Sequence, residues 1–371
     1  MSVAIIGGGL AGAAAGAALA RSGVDVTIIE RERAPVNKIC GEFLSTEAQA
    51  YLRRLGLDLA ALGGHPITHL RLVKRDRLTC VKLPFQALGL SRRTLDEALL
   101  NHAAAAGAKL LRGHAVRGIV AGKLLQLDLD QHAPVLAQRV FLATGKHDLR
   151  GQRRHAAAPA LVGFKMYFAL AAAQQAELAG HIELIMLGSG YAGLQMIEAG
   201  QANLCLLLAA EDLRQAGGKW SEVLAMLRAA SPHLARRLAD ATPLLEAPLT
   251  IARVPYGYVH KPDANDPPGL FRLGDQAAVI QSFTGDGMSI ALHSAALAAD
   301  FCRRGQSGSA YHQRFAHDVA AQVGRAGAIY RASASPLLQP ALFSLARLFP
   351  AALRHAARLT RVPPQTLLAE L

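Results

Sequence analysis

The sequence predicts an α/β fold: a nucleotide-binding domain built on a parallel sheet, interrupted by an antiparallel sheet and followed by a helical C-terminal region. Three observations predict it. A glycine-rich turn, Gly7-Gly8-Gly9-Leu10-Ala11-Gly12, follows the apolar run Val3-Ala4-Ile5-Ile6 and opens an alanine-rich segment. A second glycine-rich stretch returns after a long excursion, as Gly274-Asp275 and then Phe283-Thr284-Gly285-Asp286-Gly287-Met288. Between the two, the alternation of strand and helix patterns breaks twice.

Residues 3 to 30 read as one βαβ unit. Val3 to Ile6 form a buried strand and Leu10 to Arg21 a helix whose small side chains allow close packing. Ser22-Gly23 closes the helix, and Val24 to Glu30 is the second strand. Ser91 to Ala106 reads as a helix capped by Ser91, with Leu95, Leu99 and Leu100 on its apolar face. Lys109 to Leu111 is a strand, Val116 to Val120 and Leu124 to Leu129 a β-meander, and Val140 to Ala143 a buried strand ending at Thr144-Gly145. Residues 66–88 and 161–258 alternate in strand fashion and predict the inserted antiparallel sheet. Trp220 to Ala239 is a helical pair broken at Ser231-Pro232, and the chain reads helical from Ser289 to its end. The resulting division is a nucleotide domain of 1–65, 89–160 and 259–300, a substrate domain of 66–88 and 161–258, and a helical region of 301–371.

With 371 residues, 51% of them hydrophobic, the chain is long enough for one large domain plus an inserted second one. A net charge of +13 draws anionic partners. No zinc-finger spacing, helix-turn-helix pattern or aromatic RNA-binding motif accompanies that charge, so nucleic acid is not expected. Cys40, Cys80, Cys205 and Cys302 show no paired spacing, which argues against a disulfide framework or a metal site and suits a reducing cytoplasm. The apolar N-terminus lacks a basic n-region and is read as a nucleotide turn rather than a signal peptide. No stretch reaches the charge-free length of a membrane span.

Gly7, Gly9 and Gly12 match G-x-G-x-x-G in the context the motif demands. The first permits the tight turn, the second lets a pyrophosphate approach the backbone, and the third lets helix and strand pack closely; the helix N-terminus, with Leu10 and Ala11, offers free N–H groups. Glu30 ends the second strand where a carboxylate accepts from ribose hydroxyls, and Arg31 and Val116 are further cofactor-binding candidates. Asp275 is placed to hold ribityl hydroxyls, and the N–H groups around Gly285, Asp286, Gly287 and Met288 to face a flavin pyrimidine edge. A dinucleotide gripped at both ends by distant segments points to FAD. The predicted architecture is therefore an FAD-binding, Rossmann-like domain of the glutathione-reductase type with a substrate sheet inserted.

The chain resembles the flavoprotein superfamily that includes para-hydroxybenzoate hydroxylase, the geranylgeranyl reductases and the flavin-dependent halogenases. Lys38-Ile39-Cys40-Gly41-Glu42-Phe43-Leu44-Ser45 is most similar to the segment after the ribose acid in geranylgeranyl-reductase-like proteins, and Phe283 to Met288 to their Phe-Thr-Gly-Glu-Gly turn. The resemblance, which covers roughly residues 1 to 300, implies a flavin-contacting role for Arg92. Three departures qualify it. Thr144 stands where hydroxylases usually carry the acid of an Asp-Gly motif, which questions direct docking of NADH or NADPH as electron donor. Ser282 replaces a proline before the flavin-facing turn. The halogenase Trp-x-Trp-x-Ile-Pro signature is absent, Trp220 being the only tryptophan.

Cys40 has no partner in a Cys-x-x-Cys spacing, which favours a packing or cofactor-lining role, with Gly41, over a redox-active one. Tyr167, His181, Tyr191 and Tyr256, with Tyr258 alongside, lie on or beside the substrate sheet and are candidates to line a pocket over the flavin, or to be core or surface residues. Lys146, His147, Asp148 and Arg150 form either a solvated loop or a loop beside the cofactor. Leu337 to Arg361 alternates apolar clusters with Arg347, Arg354, Arg358 and Arg361, the pattern of surface helices or of a basic amphipathic element peripheral to a membrane. The expected substrate is a small molecule or a carrier-tethered one, with an acidic carrier protein or an anionic membrane surface as partner. The leading functional expectation is an FAD-dependent monooxygenase of hydroxylase or epoxidase type acting on an aromatic, polyketide-like or lipidic substrate. Geranylgeranyl-reductase-like alkene reduction is the alternative, and a non-catalytic flavin-binding maturation partner the third reading.

Overall fold

The N-terminal apolar run becomes the strand Ser2–Ile6, the centre of a five-stranded parallel sheet. Its neighbours are Asp25–Glu30, followed by Lys109–Arg112, on one side and Arg139–Leu142, followed by Leu270–Arg272, on the other. This computed structural model describes residues 1–156, 158–188, 190–263, 266–335 and 337–368; residues 369–371, expected to be helical, lie outside them. The helix Leu10–Arg21 is buried from Leu10 to Ala20, wedged between the sheet and the helices Arg92–Ala105 and Gly287–Arg303. Its closeness depends on a missing side chain, because a Cβ on Gly12 would lie 1.9 Å from the Gly7 carbonyl oxygen. Gly7 itself turns at φ +104°, a conformation open to glycine at little cost. Ser91 caps its helix as expected, accepting the Thr94 N–H. The strands Val116–Val120, Leu125–Leu129 and Val135–Ala137 form the meander, which packs Leu125 and Leu127 onto the opposite face of the parallel sheet.

The second sheet runs Thr242–Pro243, Leu161–Ala169, Ala202–Ala209, Tyr191–Met196, Gly180–Met186, His65–Lys74, Arg77–Gly89 and Phe43–Leu44, with Leu249–Ala252 also paired to Leu161–Ala169. It was expected to be antiparallel, and its other pairings are, but Gly180–Met186 runs parallel to His65–Lys74. These two strands come from separate excursions of the chain, so no hairpin dictates their relative direction. One face carries Phe164, Met166, Phe168, Leu194 and Leu204 against Val223 and Leu227 of the helix Trp220–Ala230. The opposite face turns toward the nucleotide domain.

The face packed on helices also buries a charge. Glu183, fully inaccessible, accepts from Arg237 (2.9 Å), His233 (2.8 Å) and Arg71 (3.1 Å). Burial alone would raise its carboxyl, but hydrogen bonds from His233 and Arg237 and their charges outweigh it and hold the pKa at about 2. The helix Gly287–Arg303 continues past residue 300 into the chain's last part. There Gly308–Ala334 leads to two short helices, Leu338–Leu348, which packs Phe343 and Ala346 on Leu72, and Pro350–Leu359, which lies over the strand Arg77–Gly89. Pro350 separates them, lacking the N–H a continuous helix would need.

Arg237→Ala would leave the Glu183 carboxylate short of a bidentate partner, and we expect it to destabilise the fold by about 3 kcal/mol in chemical denaturation. Because the folded pKa is depressed, the stability Glu183 contributes is present above about pH 4 and lost as pH falls toward 2. The deficit of the Arg237→Ala chain should therefore shrink in acid.

Candidate flavin and substrate cleft

The glycine turn leaves the first helical N–H groups free, because Gly9 caps Leu10–Arg21 without a side chain. Two cations stand over them: a Cβ built on Gly9 would lie 3.3 Å from Lys38 Nζ and 3.6 Å from Arg92 Nη2. Asp96 holds both in place. Arg92 donates to its two oxygens at 2.7 and 2.9 Å, and Lys38 at 2.8 Å. Burial pushes the Asp96 carboxyl up, but Arg92 and then Lys38 pull it down further, so it stays ionised. A helix end with free donors and two oriented cations fits a pyrophosphate. Glu30 lies at the edge of this cleft, its carboxylate accepting from the Gly8 N–H (2.7 Å) and the Glu32 N–H (2.9 Å). Those bonds fix its orientation and leave acceptor capacity toward the cleft for ribose hydroxyls.

From here one continuous cavity of about 1030 Å³ runs between the two sheets. Gly7, Gly9, Leu10, Ala11, Glu30, Arg31, Cys40, Gly41, Arg92, Val116, Gly274, Asp275, Gly285, Gly287 and Met288 all line it. Gly12 does not; its part is the close packing of helix on turn. Asp286, expected to offer its backbone N–H there, does not line the cavity. Its fully buried carboxylate points the other way, accepting from Arg361 Nη1 (3.2 Å) and the Val362 N–H (2.9 Å), while Arg361 Nη2 also donates to the Thr284 carbonyl (2.7 Å). The chain's last helix is thereby tied to the glycine turn around Gly285. Burial raises the Asp286 carboxyl to about 7, Arg361 opposing and Glu47 adding to the rise.

Lys146, His147 and Asp148 line the cavity, and Arg150 does not. Lys146 Nζ lies 3.5 Å from Asp275 and donates to the Ile39 carbonyl, and buried Arg154 ties Asp148, the Lys146 carbonyl and the Asp275 carbonyl together. Tyr191 and Tyr256 line the cavity at the junction of the sheets. Ser282 pairs its hydroxyl with Tyr256 (2.7 Å), and Phe283 meets Tyr191 edge-on at 6.1 Å. Burial pushes the Tyr256 phenol up to about 12 and the Tyr191 phenol well above its usual value. The buried Tyr191 hydroxyl makes no hydrogen bond of normal geometry among the described residues.

Tyr167 and His181 lie off the cavity. On the strand Gly180–Met186 the even positions Ile182, Leu184 and Met186 face the cavity, so His181 points away, stacked on His69 with its Nδ1 at the Ala179 carbonyl. The Tyr167 hydroxyl is consumed by Glu42 at 2.8 Å. Glu42 was missed as a site residue. Held in the left-handed region at φ 59°, it is fully buried and receives Lys165 (2.5 Å), Tyr167, the Arg92 N–H (2.8 Å) and Asn203 (3.0 Å), while Gln195 donates to its carbonyl (2.8 Å). The available signal was a lysine in an otherwise apolar strand, two residues from Tyr167 and therefore on the same face.

Beyond the polar end, the cavity is walled by Leu70, Leu72, Ile182, Leu184 and Met186 from the sheet and by Phe343, Ala346, Leu353 and Ala357 from the last two helices. Outside the cavity, His260, Asp266 and His312 cluster. His260 bonds Asp266 (2.9 Å), Asp266 accepts from Arg272 (2.9 Å), and His312 Nε2 accepts the Arg272 N–H (2.9 Å), a network that ties strand to helix and leaves its ligating atoms occupied.

Residues 1–126 match the family model described as an FAD binding domain. A menaquinone reductase of Mycolicibacterium smegmatis is 26% identical over 323 residues, 82% of this chain and 76% of that protein. Among solved structures, the flavin-dependent brominase Bmp2 aligns with 100% of this chain and 96% of its own at TM-score 0.79 and 16% identity. A variant of PqsL from P. aeruginosa aligns at TM-score 0.75 and 17% identity, over 93% of this chain and 99% of its own. The flavin-dependent halogenase CmlS aligns at TM-score 0.74 and 21% identity, over 90% of this chain; the chain spans only 64% of that protein's length.

Two variants test the cleft. Gly12→Ala should force helix and turn apart, costing about 3 kcal/mol and most of the flavin that copurifies, read from the visible absorbance per chain. For Asp286, the folded chain binds the proton more tightly than the unfolded one. Its contribution to stability is therefore complete below about pH 4 and lost as pH rises through about 7. Asp286→Asn should flatten the fall in Tm between about pH 5 and pH 8.

Proposed function

We propose that the chain is an FAD-dependent oxidoreductase of the para-hydroxybenzoate hydroxylase-like superfamily that reduces carbon–carbon double bonds in a lipidic, isoprenoid-type substrate. The observation that carries this reading is the apolar extension of the cavity under the last two helices, walled by Leu72, Leu184, Met186, Phe343 and Leu353. The likeness to a menaquinone reductase over most of both chains supports it, as does the similarity of residues 38–45 and 283–288 to geranylgeranyl-reductase-like segments. This reverses the order of the sequence-based expectations, in which oxygenation led.

When bound and reduced, FAD would supply two electrons, as a hydride, to a double bond held against it. Lys38, Arg92 and the helix end at Leu10 would bind its pyrophosphate, Glu30 its adenosine ribose, and Asp275 its ribityl chain. The apolar walls Leu72, Leu184, Met186 and Phe343 orient the substrate tail and exclude water from the reacting carbons. Tyr191 and Tyr256, their phenols kept protonated by burial, hold protons at Oη at the polar end. One of these hydroxyls would deliver the proton that completes addition of H₂ across the double bond, water restoring it afterwards. NADH or NADPH would be the source of electrons.

The test is to reduce the FAD-loaded protein anaerobically, add an isoprenoid lipid such as menaquinone in detergent, and weigh the product. We expect a gain of about 2 Da per double bond without oxygen, at least about tenfold slower in the Tyr191→Phe, Tyr256→Phe chain if these phenols deliver the proton. A product heavier by about 16 Da that forms only with oxygen would establish the oxygenase reading instead.

A further inference from the structure

The last two helices are amphipathic in an unusual sense: both faces are apolar in part. The inner face, with Phe343, Ala346 and Leu353, packs on Leu72, Leu184 and Met186 and walls the cavity. The outer face leaves large apolar side chains in solvent. Leu337 is 88% exposed, Leu348 73%, Phe349 60%, and Leu338 and Leu345 about half. Leu338, Leu345 and Leu348 follow helical spacing and so form one stripe, which Phe349 extends across the break at Pro350. Leu345 belongs to both surfaces, being exposed and also a lining residue of the cavity, so the exposed stripe reaches the cavity's edge.

Charge around the stripe is of one sign. Between Asp318 and Glu370 the sequence holds six arginines and no lysine, aspartate or glutamate. Arg347, Arg354 and Arg358 are exposed on the two helices beside the apolar stripe, whereas Arg361 is spent on Asp286. Leucine and phenylalanine flanked by arginine suit the boundary between acyl chains and anionic headgroups, where apolar side chains insert and guanidinium groups stay with phosphate. No described helix is long and apolar enough to cross a membrane, so the contact would be in the plane of the surface.

We propose that this helix pair docks the protein onto an anionic lipid bilayer, presenting the apolar cavity's edge to the membrane so that a lipid tail passes into the cavity without crossing water. The choice of a bilayer over an acidic carrier protein follows from the stripe, whose four large apolar side chains would be costly to leave exposed between encounters with a soluble partner. The route for the substrate rests on the reading of the cavity as a lipid site; the docking itself does not.

The test uses the full, FAD-loaded chain and vesicles of phosphatidylcholine alone or mixed equally with phosphatidylglycerol. We expect cosedimentation with the mixed vesicles, weakened by salt, and little with phosphatidylcholine alone. The double variant Leu348→Glu, Phe349→Glu should lose at least about tenfold in vesicle affinity, and Arg347→Gln, Arg354→Gln, Arg358→Gln should lose affinity for the anionic vesicles in particular. Flavin content and Tm should be unchanged in both, since the altered side chains touch neither the cleft nor the core. Turnover of detergent-dispersed lipid should survive in the variants while turnover of vesicle-embedded lipid falls. If vesicles bind as expected but no lipid is reduced in either form, the functional reading fails and the docking stands. Absence of vesicle binding, variants that bind like the parent, a dimer that dissociates on Leu348→Glu, or binding of an acidic carrier protein in place of vesicles would each overturn the proposal.

Discussion

A single buried carboxylate holds the two halves of the molecule in register. Glu42 leaves the nucleotide domain on the segment after Lys38, enters the space beneath the second sheet, and is met there by Lys165, Tyr167 and Asn203 from three directions along that sheet. It also takes the N–H of Arg92, so the start of the helix that carries Arg92 and Asp96 is fixed by the same group. Burial raises its carboxyl and Lys165 opposes the rise. A buried ion pair is a weak source of stability, and one this completely hydrogen-bonded is better understood as a device for specifying position. What it positions is the floor of the cleft: Cys40 and Gly41, whose carbonyls both accept from Asn203.

The same logic recurs at the other end of the cofactor groove. Asp286 takes the Arg361 guanidinium and the Val362 N–H, so the end of the helix Pro350–Leu359 is tied to the cavity-lining turn around Gly285. Arg361 also lies over the rings of Phe43 and Phe85, at 5.5 and 4.9 Å, linking this latch to the second sheet. The cavity wall made by the last two helices and the glycine turn around Gly285 therefore move, or stay still, together. Three hydrogen bonds make that link: from Arg361 and Val362 to Asp286, and from Arg361 to the Thr284 carbonyl.

Much of this was legible because it is local. The strand, glycine turn, helix and second strand of residues 2–30 declare themselves by spacing, as does the Ser91 cap, since each depends on neighbours within a few residues. What was not legible depends on register between distant strands. The parallel pairing of Gly180–Met186 with His65–Lys74 decides which side chains of either strand see the cavity, and with it the exclusion of His181. Tyr167 sits on the cavity side of its strand but is claimed by Glu42, a partner 125 positions away. Asp286 lies in a motif whose backbone faces the flavin site, yet its side chain rotates toward a C-terminal arginine that no spacing rule connects to it. The C-terminal segment reads in sequence as surface helices or as a basic amphipathic element; only the fold shows one face closing a cavity.

The account rests on one dinucleotide being held along its whole length by segments from both ends of the chain. The direct measurement is a set of binding titrations of the flavin-free protein with FAD, FMN and ADP. Contacts at both ends predict one FAD per chain, with ADP and FMN each bound at least about a hundredfold more weakly, since either half forfeits the other's share. ADP binding within tenfold of FAD would mean that Asp275 and the Gly285 turn contribute nothing, and would contradict the account.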